Sequence, residues 1–115
     1  MGSHRKVVIA LGGNALQDAH MPATAESQLE TAKRTAEVIA DIKCIFGYEI
    51  AIAHGNGPQV GQILSASECA REITPALPLD ACSAMSQGYI GYHLQQSLSY
   101  ALAKRNRSLP VVSLI

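Results

Sequence analysis

Apolar and polar positions along this 115-residue chain change rhythm several times, and each change marks an element. Val7-Val8-Ile9-Ala10-Leu11 and Ile50-Ala51-Ile52-Ala53 are short unbroken apolar runs that end near glycine, the pattern of buried strands entering turns. Between them the spacing becomes helical. Apolar or small residues at 29, 32, 36 and 39, with a second row at 35, 38, 42 and 45, predict a helix capped by Thr24 or Ser27 and stopped near Gly47. Gln17 to Ala23, with Pro22, reads as a loop. Pro58 suits the first turn of a second helix over 59–72, and the two prolines within 74–79 impose another loop. A third helix from Ser83 or Ala84 to about Arg105 carries Ile90, Leu94, Leu98 and Leu102 on one face. Its Gly88 and Gly91 predict a close neighbour, because each glycine costs a helix about 1 kcal/mol relative to alanine. Pro110 to Ile115 reads as a further strand.

Strand, helix, strand, helix, helix, strand is the order of an α/β fold: a mainly parallel open sheet, right-handed crossovers and helices on both faces. Ligands of such sheets bind outside the carboxyl ends of the strands, where Gly12-Gly13-Asn14 and Gly55-Asn56-Gly57-Pro58 both fall. Glycine leaves backbone N–H groups bare to a ligand, and a helix N-terminus favours negative charge. The two turns therefore predict two converging anion cradles and point to phosphate chemistry. Neither is a Walker A loop or a Gly-x-Gly-x-x-Gly fingerprint, since the Lys-Ser/Thr pair and the third glycine are missing.

Composition narrows the classes. Nine basic residues balance nine acidic ones, without the basic excess of a nucleic-acid binder, and the longest apolar runs fall far short of the ~20 residues that span a bilayer. Cys44, Cys69 and Cys82 form no Cys-x-x-Cys pair and read as reduced core or spectator residues, so the expectation is a soluble, cytoplasmic protein without nucleic-acid or membrane partners. His4, His20 and His93 lack metal-ligand spacing, and no metal site is expected. His54 and Gln59 flank the second turn as possible accessory residues, His54 reading first as a histidine bonded to backbone. Asp80, Ser83, Ser86 and Gln87 read as caps at the start of the third helix, where they could also place polar side chains near the ligand end of the sheet. Residues 1–5 read as a leader set apart from the fold.

Three segments together carry a resemblance: Val-Val-Ile-Ala-Leu-Gly-Gly-Asn-Ala-Leu (7–16), His-Gly-Asn-Gly-Pro-Gln-Val-Gly (54–61) and Pro-Leu-Asp-Ala-Cys-Ser-Ala-Met-Ser-Gln-Gly-Tyr-Ile-Gly-Tyr (78–92). The chain from 6 to 115 resembles the N-terminal, acceptor-side part of the carbamate kinases of the amino-acid kinase superfamily. Ala10 strengthens that resemblance, since acetylglutamate and aspartate kinases carry a lysine two residues before the first glycine. The resemblance implies a three-layer αβα sandwich, a homodimer, and reversible phosphoryl transfer between ATP and carbamate with Mg²⁺ on the nucleotide, in arginine metabolism. It implies Gly12, Gly13 and Asn14 at the phosphoryl group and Gly55, Asn56 and Gly57 at carbamate or carbamoyl phosphate. The family's nucleotide-binding half would lie beyond Ile115, so ATP or ADP with Mg²⁺ is not expected to bind tightly to these residues alone. No catalytic residue is assigned, because neither turn holds the lysine or arginine that phosphoryl transfer needs. The alternative is a non-catalytic remnant or partner subunit, acting as an anion-binding or dimerisation module.

Overall fold

The structure is a computed structural model and describes residues 5–115; of the leader expected at 1–5, all but Arg5 lie outside the described residues. The chain forms β1 (Lys6–Leu11), α1 (Gly13–Leu16), α2 (Ala25–Phe46), β2 (Glu49–His54), α3 (Gln59–Cys69) and α4 (Leu79–Lys104). β1 and β2 pair in parallel, in register from Lys6 opposite Glu49 to Leu11 opposite His54. That last pair sets both glycine turns side by side at the carboxyl end of the sheet.

The helices begin and end for identifiable reasons. Thr24 is the N-cap of α2, its hydroxyl accepting from the Ser27 N–H at 3.2 Å, and Gly47 ends the helix in the left-handed conformation at φ 69°. Of the two apolar rows, only the first is core: Ala32, Ala36 and Ile39 are buried, whereas Val38 and Ile45 face solvent. α4 starts at Leu79, ahead of the expected Ser83 or Ala84, because Pro78 with ψ 159° serves as its N-cap and no proline follows within the helix. α3 stops at Cys69 rather than 72, and Ile73 and Thr74 both donate to the Ala70 carbonyl in a turn ahead of Pro75.

One face of the sheet is covered. Ile9, Leu11, Ile50 and Ile52 pack against Ala36, Ile39 and Ala40 of α2 and Leu98, Ala101 and Leu102 of α4. The opposite face is bare, with Val8 71% exposed, so a sheet and one helical layer of the sandwich are present on these residues. Glu37 holds α2 to the end of α4 by pairing with Lys104 and, at 2.8 Å, with Arg105, which also pairs with Asp41 at 2.8 Å.

Pro110–Ile115 does not form the expected strand. Ser113 Oγ instead donates to the Gly91 carbonyl at 3.1 Å, and Ile115 reaches within 3.6 Å of where a Cβ on Gly88 would stand. The neighbour that the two helix glycines admit is thus this segment. It lies against α4, and a cavity of about 590 Å³ lined by Ile50, Ile52, Leu98 and Val112 separates it from β2.

Candidate functional site

The site grows from two strand ends. After Leu11 the backbone passes Gly12 in extended conformation and winds into α1, so the first turn is the start of a helix whose leading amides have no intrahelical acceptor. Gly12, Gly13 and Asn14 are exposed, and a Cβ built on either glycine would meet nothing within 4 Å. After His54, Gly55 and Asn56 lead to Gly57, the only glycine of the two turns at positive φ, 53°. Gly55 is open like the first pair, but a Cβ on Gly57 would stand 2.6 Å from Gln59 Oε1 and 3.4 Å from Leu16 Cδ1. The glycines thus divide by cause: Gly57 is required by the fold, whereas Gly12, Gly13 and Gly55 leave an approach open.

Gln59 joins the turns. It is 2% exposed, and its Nε2 donates to the Leu16 carbonyl at 3.3 Å while its Oε1 is buried without a hydrogen-bond partner. Asn56 is held from the other side, where Ser86 Oγ at 2.8 Å and Gln87 Nε2 at 2.9 Å both donate to its Oδ1. Ser86 and Gln87 are therefore not caps: with α4 starting at Leu79 they sit a turn or two inside it and reach the second glycine turn. Asp80, in the first turn of α4, does serve the helix start, its Oδ1 accepting from the Ala81 N–H at 2.9 Å. His54 lies at the edge of the site, Nδ1 2.8 Å from the Gly55 carbonyl, a local contact with backbone.

Behind the turns lies a network that the sequence reading missed. Gln28, 1% exposed, donates from Nε2 to Gln17 Oε1 and Gln62 Oε1, both at 2.8 Å, and accepts from the Tyr89 hydroxyl at 2.6 Å. Gln62 donates onward to the Ala23 carbonyl at 2.7 Å, and Thr35 Oγ1 to the Ala15 carbonyl at 3.0 Å. One buried amide thereby ties the residue after α1 to α2, α3 and α4. The signal was present in the sequence: Gln28 stands four residues before Ala32, in line with the buried row of α2. Beside the network, burial raises the pKa of Tyr89 and lowers that of His93, whose ring lies 4.7 Å from the tyrosine ring.

Positive charge stays away from the turns. Among the described residues, the ion pairs and hydrogen bonds of lysine and arginine side chains involve Glu49, Glu30, Asp18, Glu68, Glu37 and Asp41 or groups nearby, and none reaches either turn. Among the described residues no three His, Cys, Asp or Glu side chains gather to hold a metal ion. The arrangement suits seating an oxyanion on backbone and amide donors.

No protein-family model matches the chain. It is 50% identical over 103 residues to a carbamate kinase of Clostridium perfringens and 47% identical over 112 residues to one of Pyrococcus horikoshii. Those alignments cover 87% and 96% of this chain but 32% and 35% of the relatives, so the chain spans about a third of their length. Among solved structures, carbamate kinase from Giardia lamblia bound to AMP-PNP superimposes with a TM-score of 0.87 at 37% identity, covering 96% of this chain and 38% of that one. A protein of Aeropyrum pernix superimposes with a TM-score of 0.89 at 40% identity, covering 96% and 35%.

Proposed function

We propose that the chain, which matches carbamate kinases over about a third of their length, forms with its two glycine turns the acceptor side of a carbamate kinase site. The reaction is reversible: the bond between phosphorus and the carbamoyl oxygen of carbamoyl phosphate breaks, a bond to the terminal phosphate oxygen of ADP forms, and carbamate leaves. A Mg²⁺-bound nucleotide supplies the phosphate oxygen that receives the group. The role of this chain is positional. Gly12, Gly13 and Asn14 take the phosphoryl oxygens on open backbone, and Gly55, Asn56 and Gly57 take the carbamoyl end.

The observation that carries this reading is the pairing of Leu11 with His54, which sets the open glycines next to one another, with Gln59 bonded across to Leu16. The N–H groups of Asn56 and Gly57 have no backbone acceptor and stand just before α3, whose N-terminal end favours an anion by roughly 0.3–1 kcal/mol. Titration with carbamoyl phosphate followed by calorimetry and amide NMR tests it: heat, together with shifts at Gly13, Asn14, Asn56 and Gly57, is expected. Absence of both in a folded sample rejects the reading.

A second reading starts from the described residues, among which no lysine or arginine side chain bonds to either turn. On it the chain seats the anion but does not transfer it, as a binding or dimerisation module. An assay of ADP with carbamoyl phosphate separates the two: ATP formation favours the kinase, and binding without ATP favours the module. The kinase reading carries with it a homodimer acting in the cytoplasm on carbamoyl phosphate from arginine breakdown. No described helix is long and apolar enough to cross a membrane.

A further inference from the structure

Asn56 is the one side-chain amide of the second turn, and an amide can face an anion with either of two ends. Its NH₂ attracts an oxyanion and its carbonyl oxygen repels one. Which end faces the ligand depends on what holds the other. Ser86 Oγ lies 2.8 Å from Asn56 Oδ1 and also 2.8 Å from the Ser83 carbonyl, and a hydroxyl has a single proton to give. The Ser83 carbonyl lies inside α4, where the N–H four residues on already serves it. Giving the serine proton to Asn56 therefore leaves neither acceptor without a donor. Gln87 Nε2 donates to the same oxygen at 2.9 Å, so both lone pairs of Oδ1 are engaged and Nδ2 is left for the turn. Turning over both amides would satisfy as many bonds, but it would aim Oδ1 at the anion.

We propose that Ser86 and Gln87 are positioning residues, which hold Asn56 so that its NH₂, and not its carbonyl, faces an oxyanion of the carbamoyl phosphate class. This rests on the reading of the second turn as an anion seat. Ser86 suits the task because it is completely buried, so its hydroxyl bonds to protein acceptors. The pair also gives the third quoted sequence segment a role at the site: α4 sets the polarity of a contact made by the turn.

The test uses the ¹⁵N-labelled chain and three variants, Asn56→Ala, Ser86→Ala and Gln87→Met, with carbamoyl phosphate as the probe. In the free protein Asn56 Nδ2 is expected to be as rigid as the backbone by heteronuclear NOE, with both protons exchanging quickly for want of a protein acceptor, and to become mobile in S86A and in Q87M. Slow exchange of those protons, as donation to Ser86 and Gln87 would give, or a mobile Nδ2 in the wild-type chain overturns the inference without reference to any ligand. For binding, S86A and Q87M are each expected to raise the dissociation constant roughly three- to tenfold, the range of one hydrogen bond. In the N56A background neither should have a further effect. A merely structural role would weaken binding equally in both backgrounds, and that result overturns the inference while leaving the anion seat intact. N56A binding as tightly as wild type overturns the seat and the purpose of the lock together. Gln87 is half-buried, so Q87M keeps the test open if S86A fails to fold.

Discussion

Gly57→Ala measures how much of the second turn belongs to folding. Gly57 sits at φ 53°, where an L-residue loses about 1–2 kcal/mol relative to glycine. The added methyl would also stand 2.6 Å from Gln59 Oε1, closer than carbon and oxygen approach, so the Gln59 side chain must move. It is 2% exposed and fixed by the bond from Nε2 to the Leu16 carbonyl, and giving up that bond costs about 0.5–1.5 kcal/mol more. The expected loss is roughly 1.5–3.5 kcal/mol, read from urea unfolding followed by far-UV circular dichroism. Gly55→Ala is the internal comparison: its φ is not positive and a Cβ there meets nothing within 4 Å. It should be neutral, or stabilise by up to about 1 kcal/mol by restricting the unfolded chain. If Gly57→Ala proved as stable as Gly55→Ala, the division of the turn into a structural glycine and an open one would be wrong.

Further outcomes follow from the same geometry. Gly12→Ala should leave the unfolding midpoint nearly unchanged yet weaken carbamoyl phosphate in calorimetry, because its methyl would enter only the ligand's approach. Gln28→Leu leaves Tyr89, Gln17 and Gln62 without their shared partner and should lower stability by about 2–4 kcal/mol in denaturant titration, far more than an exposed glutamine would. Thr24→Ala removes the cap of α2 and should cost about 1 kcal/mol in the same measurement. His93 has its pKa lowered from 6.5 by burial, so the unfolded chain binds the proton more readily. Its contribution is complete above pH 6.5 and is lost as pH falls below that value. Melts at pH 7.5 and 5.5 should differ more in the wild type than in His93→Gln.

The parts of the fold legible in the sequence were those set by local chemistry. Thr24, Gly47 and the row from Ile90 to Leu102 announced a cap, a stop and a buried face by their own residue types. The α/β order placed both glycine turns at one end of the sheet before any coordinates. Less legible were features that depend on distant partners. Nothing near Ser86 or Gln87 says that they reach Asn56 across thirty positions of chain, so a cap was the natural reading. Pro110–Ile115 has strand composition, yet its pairing is decided by Gly91 accepting from Ser113. Gln28 was hidden because its three partners come from three other parts of the chain. Residue type alone does not separate the glycines of the two turns, of which only Gly57 takes positive φ.

The displaced Pro110–Ile115 segment has a consequence for the timing of solvent exchange along β2. In a parallel pair each strand turns alternate amides toward its partner, and Glu49 donates to the Arg5 carbonyl at 2.9 Å. By that period Ala51 and Ala53 also face β1, whereas Ile50, Ile52 and His54 point their N–H groups toward the cavity, where no strand receives them. Deuterium should therefore enter β2 in a two-beat rhythm, quickly at 50 and 52 and slowly at 51 and 53. Were Val111–Ile115 to close onto that edge, the rhythm would vanish, so the exchange pattern of six consecutive residues reports whether the sheet has two strands or three.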